Sequence, residues 1–174
     1  MIESGGKGGS TKTGLIFEGK SDLKTLLNQQ KDYFVDDEDV VFYKNERVAL
    51  LLKKFKLYQF LEKHNVPWQD IISKRLLPDD SIFVIIKNTI YIIECKFQKV
   101  AGSVDEKLQT CDFKKKQYKK LFSHLNMEVE YIYLLSNWFK AKAYKDVLDY
   151  IISVGCSYYF EYIPLDKLGL KISE

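Results

Sequence analysis

The sequence predicts an α/β fold in which helices flank a central mixed sheet. Three observations carry this prediction. The stretches SIFVII and TIYIIECKF, rich in β-branched and aromatic residues, flank Lys87 and Asn88 as turn residues and read as a buried β-hairpin. Segments of helical periodicity alternate with further short strand-like segments on either side of it. Finally, 174 residues at 46% apolar content suffice for one compact core without a second domain.

Taken in order, residues 1–12 are glycine-rich and polar and are expected to form a flexible arm ahead of a single domain at 13–174. The segment KGGSTKTG does not make a phosphate-binding loop: Thr11 stands where a glycine should precede the lysine, and no strand leads into it. From Thr13 to about Gln30, Leu15, Ile16, Leu23, Leu26 and Leu27 are spaced for an amphipathic helix, with Glu18 at the border of its apolar stripe. The acidic run Asp36–Asp39 reads as a loop and VVFY as a short strand. A second helix is expected from about Glu46 to His64, with Leu50, Leu51, Phe55, Tyr58, Phe60 and Leu61 on one broad side and Pro67 at or beyond its end. After the hairpin come a strongly basic helix from about Val104 to Leu125, a strand at VEYIYLL, a helix at WFKAKAYKDVLDYIISV and a last strand at CSYYFEYI.

Composition excludes several classes. The net charge of +3 is too small for a polycationic binder, although it permits a basic face opposite an acidic one. No apolar run is long enough to span a bilayer, and the start of the chain lacks the apolar core of a secretory signal, so a soluble protein, cytoplasmic or otherwise intracellular, is expected. Cys95, Cys111 and Cys156 form no CxxC pair and read as reduced core residues. His64 and His124 are too few and too separated for a paired-histidine metal site, and no GxSxG elbow is present. Aromatics alternating along YIYLL and YYFEY are read as core rather than as base-stacking platforms.

The chemistry concentrates in PDD at 78–80 and ECK at 94–96. Side chains alternate along a strand, so Glu94 and Lys96 share one face and Cys95 takes the other. A two-residue turn at Lys87 and Asn88 would pair Asp79 with Lys96 and bring it to the same face; a three-residue turn would favour Asp80 instead. Carboxylates gathered against an apolar sheet need a compensating lysine or a bound cation, and oxygen ligands of this kind suit Mg²⁺, with Mn²⁺ able to substitute. A cation held by Asp79 and Glu94 would polarise a phosphate oxygen and acidify a water, with Lys96 orienting that water or stabilising developing charge.

These residues resemble the PD-(D/E)xK nuclease superfamily, and the combination TGLIFE, LLPDD, IIECKFQ and GSVDEKLQT resembles type II restriction endonucleases. The resemblance implies a restriction-endonuclease-like core of αβββαβ plan over roughly Thr13 to Ile163, and Mg²⁺-dependent endonucleolytic cleavage of double-stranded DNA by a homodimer at a short symmetrical site. It places Glu18 of the first helix as a fourth member of the catalytic set, whose other reading is a solvated helical glutamate. The basic helix after the hairpin would lie along phosphates, with Lys107, Lys114, Lys115 and Gln117 as DNA-binding residues and solvated helix faces as the alternative. A structure-selective DNA nuclease, such as a junction resolvase or repair enzyme, would use the same residues. A non-catalytic DNA-binding module of the same fold is the reading from another class.

Overall fold

The computed structural model describes residues 14–16, 22–98 and 104–173. The elements follow in order as β1 (Gly14–Ile16), α1 (Leu23–Asn28), β2 (Tyr33–Val35), β3 (Val40–Tyr43), β4 (Glu46–Leu51), α2 (Phe55–Lys63) and α3 (Trp68–Ile71). They continue with β5 (Asp80–Val84), β6 (Thr89–Lys96), α4 (Val104–Leu108), α5 (Cys111–Ser123), β7 (Glu128–Leu135), α6 (Lys145–Ser153), β8 (Ser157–Phe160) and β9 (Tyr162–Pro164).

A seven-stranded mixed sheet runs in the order β2-β3-β4-β5-β6-β7-β8, and β1 pairs with β9 in a separate two-stranded sheet. Strands β2 to β6 form an antiparallel meander; β6, β7 and β8 are parallel, as expected where α4, α5 and α6 supply the crossovers. The predicted α/β class, with a central mixed sheet flanked by helices, is what the chain adopts. On one face of the sheet Phe83, Ile90, Ile92, Tyr131 and Tyr133 pack against Tyr58, Leu61, Tyr118, Leu121 and Ile151 from α2, α5 and α6. On the other, Ile82, Val84, Tyr91, Ile93 and Leu134 meet Leu23 and Leu27 of α1, Leu15 of β1, Ile163 of β9 and Leu165–Leu170. With both faces covered, β6 reads as a nearly continuous apolar run.

Four expectations are corrected. Leu15 and Ile16 lie in β1, not in a helix, because Leu15 pairs with Ile163 from the far end of the chain. Residues 46–51 are strand β4, and helix α2 begins only at Phe55. Between β3 and β4, Lys44 and Asn45 take φ of 48° and 66°, a two-residue hairpin turn whose twist suits the flanking strands. The basic helix is interrupted at Gln109 and Thr110, dividing it into α4 and α5. Residues 137–144 form short 3₁₀ turns, and the helix expected there starts at Lys145. Among the described residues no helix is long and apolar enough to cross a membrane.

Candidate active site

The hairpin of β5 and β6 builds the site, and its connection differs from the two-residue turn. A 3₁₀ turn at Ile85–Lys87 and left-handed Asn88 intervene, so Val84 pairs with Thr89 and Asp80 with Ile93. One step further along this register Asp79 lies beside Glu94 rather than Lys96. Both connections contain an even number of residues, so Asp79 keeps the face expected for it. Asp80 takes the opposite face and is buried there. Burial pushes its carboxyl up to about 6, against the opposing charge of Lys53, and it accepts a hydrogen bond from the Leu23 backbone.

Three oxygens converge on the Lys96 ammonium. Its Nζ donates to Glu94 Oε2 at 3.0 Å and to the Cys95 carbonyl at 3.3 Å, and lies 3.8 Å from Asp79 Oδ2. Asp79 is oriented by the Cys95 backbone N–H, which donates to Oδ2 at 2.9 Å. The other oxygen of Glu94, Oε1, faces Lys114 Nζ of α5 at 3.4 Å. The Glu94 side chain is only 9% exposed, whereas that of Asp79 is 47% exposed, so the site opens on the Asp79 side. Beneath Glu94 lie the tyrosines of the helix-covered face: burial and, next, the Glu94 charge raise the phenols of Tyr118 and Tyr131.

Two features of the surroundings were not foreseen. Tyr58 of α2 clamps the approach to Pro78–Asp79, since its hydroxyl accepts from the Leu76 N–H at 2.7 Å and donates to the Leu76 carbonyl at 3.0 Å. Beyond Lys96, the Ser136 N–H donates to the Lys96 carbonyl, and the Ser136 hydroxyl donates to the Gln98 carbonyl and accepts from the Gln98 N–H. Neither carries a short-range sequence signal, because the partners lie 18 and 38 positions apart.

The remaining site expectations divide. Glu18 lies outside the described residues. Lys114 reaches the cluster through Glu94. Gln117 is half-buried on α5, about one helical turn beyond Lys114 and on the same side. Lys107 is exposed on α4. Lys115 does not join this surface: it is buried, paired with Glu130 at 3.2 Å and hydrogen-bonded to the Gly155 carbonyl. The helix turn that carries Lys114 toward Glu94 points its neighbour toward the edge of β7 instead.

The mixed α/β sheet thus places two carboxylates and a lysine on the adjoining ends of a central hairpin. Residues 39–120, from just before β3 into α5, match the family described as the PD-(D/E)XK nuclease superfamily domain, which bears out the resemblance read from PDD and ECK. That match makes a nuclease the class of activity indicated for this part of the chain, and nucleases of this superfamily typically use divalent metal ions. No curated protein and no solved structure matches the chain.

The residues present fit such an ion. The Lys96 ammonium is already held by oxygens of Asp79, Glu94 and the Cys95 carbonyl, a hard-oxygen set suited to a small divalent cation. Among the described residues no group of three Asp, Glu, His or Cys side chains converges, and two carboxylates with waters completing the shell are the common arrangement for Mg²⁺.

Proposed function

We propose that the protein is a Mg²⁺-dependent endonuclease that hydrolyses phosphodiester bonds of double-stranded DNA, of the sequence-specific type II restriction kind. The observation that carries this reading is the convergence of Asp79, Glu94 and the Cys95 carbonyl on the Lys96 ammonium. Asp79 and Glu94 would hold the ion. When bound, the cation supplies Lewis acidity toward a phosphate oxygen and acidifies a water.

The chain's own groups do the rest. The Cys95 N–H fixes the rotamer of Asp79, and burial over the tyrosine side of the sheet holds Glu94 in one position. Lys96, whose ammonium carries three N–H donors, would turn one of them to the attacking water or to charge gathering on the phosphate. Glu18 is the further acidic residue of this reading, and Lys107, Lys114 and Gln117 would face the backbone of the duplex. Cutting both strands at a symmetrical site requires two such centres, most simply from a C2 homodimer.

Plasmid DNA incubated with the protein and Mg²⁺ should give discrete fragments, while Glu94→Ala and Lys96→Ala should lose at least about 100-fold in rate. An uncut plasmid, or variants that cut as well as the wild type, would sink the reading. Cleavage confined to branched DNA would replace it with a structure-selective nuclease.

A further inference from the structure

We infer that Lys114 is a displaceable counter-ion that competes with the divalent metal for Glu94 and thereby makes metal and DNA binding mutually reinforcing. The inference rests on the nuclease reading above. In the structure both oxygens of Glu94 are capped by ammonium groups, Oε2 by Lys96 and Oε1 by Lys114. A cation that binds this carboxylate therefore competes with one lysine or the other.

The geometry says which one. Lys96 sits two residues from Glu94 on the same strand, donates to it at 3.0 Å, and is also held by the Cys95 carbonyl and Asp79. Lys114 comes from a different element, makes the longer contact at 3.4 Å, and is the more exposed of the two at 25% against 18%. Among the described residues it pairs with no other carboxylate, whereas its neighbours Lys115 and Lys116 pair with Glu130 and Asp112. Lys114 is thus the cation with least to lose on leaving.

Charge balance gives the coupling. Asp79 and Glu94 are already offset by Lys96 and Lys114, so a divalent ion entering alone leaves an excess of positive charge in a site with one closed side. A phosphodiester brings compensating negative charge and gives the freed Lys114 a new partner. Each ligand therefore favours the other, by the same factor in both directions.

The test is Mn²⁺ binding to the DNA-free protein, by calorimetry, for the wild type, Lys114→Met, Lys114→Arg and Glu94→Gln. Losing the competing ammonium should tighten Mn²⁺ binding of Lys114→Met by about fivefold or more, the equilibrium worth of a partly buried ion pair. Lys114→Arg, which keeps the charge, should return close to the wild-type value, and Glu94→Gln should lose the site. Thermal melting checks that each variant is folded.

Wild-type binding with equal or weaker binding by Lys114→Met overturns the role given to Lys114 and leaves the nuclease reading standing. So does an arginine variant that tightens like the methionine one. Absence of Mn²⁺ binding in the wild type and in Lys114→Met overturns both.

Discussion

The segment leading into Asp79 is pinned by Tyr58 of α2. The Tyr58 hydroxyl is locked to both backbone groups of Leu76, three positions ahead of Asp79, in a chain segment with no regular structure of its own. Tyr58→Phe leaves the Leu76 N–H without its partner and should cost about 1–2 kcal/mol in urea unfolding. If Tyr58 positions the loop, then on the nuclease reading proposed above the same variant should also lose about tenfold in kcat with KM for DNA unchanged, since small displacements of a segment that would bear a metal ligand are expensive in rate. A stability loss with unaltered kcat would restrict Tyr58 to a structural part. At this scale the sequence was partly legible: alternation placed Glu94 and Lys96 together, and the even length of the connection preserved Asp79. The Tyr58 clamp was not, because nothing local in a helix predicts which distant carbonyl a phenol will find.

Among elements, the β2–β3 turn shows how the meander is tied to the helices. Asp39, at φ 63°, is paired with Lys24 of α1 and Lys56 of α2. Burial pushes its carboxyl up, and the hydrogen bonds and charges of Lys56 and Lys24 more than offset this, leaving it below the usual range. A depressed folded-state value means that stability is present above the unfolded value of 3.8 and is lost as pH falls through the folded one. Asp39→Asn, tolerated in the left-handed conformation, should therefore cost about 1 kcal/mol at pH 7 and essentially nothing near pH 2, read as a converging pair of denaturation midpoints. Equal losses at both pH values would assign the effect to something other than charge.

Element type was legible where partners are near in sequence and obscure where they are far. The β5–β6 hairpin and β7 could be read from composition because their own residues are β-branched and aromatic. Strand β1 could not, since GLI is consistent with a helix until Ile163 arrives beside it. RVALL carries no strict alternation, so β4 was absorbed into the helix that follows; the signal missed was Lys44–Asn45, an asparagine suited to a two-residue hairpin turn.

For the molecule as a whole, the C-terminal segment closes the second face of the sheet. Leu165, Leu168 and Leu170 are buried there, and the Tyr33 hydroxyl donates to the Lys171 carbonyl at 2.7 Å. Gly169 makes the turn possible at φ 66°, and a Cβ on it would meet Lys87 Cγ at 2.9 Å and the Tyr91 hydroxyl at 3.0 Å. Gly169→Ala should lower the melting temperature, at a cost on the order of 1–2 kcal/mol, by combining left-handed strain with crowding against the hairpin that carries the site. An unchanged melting temperature would show the segment to be loosely attached.

The pairing of β1 with β9 bears on how the protein is made. The strands that deliver Asp79, Glu94 and Lys96 can pair as soon as residue 96 is available, but Leu15 must wait for Ile163 before that side of the sheet is sealed. Contacts of such long sequence separation form late and slowly. During synthesis the growing chain therefore carries an assembled hairpin on an unbacked sheet, with its leucines open to chaperones or to other chains. In this order of events the β1–β9 seam is the last to close.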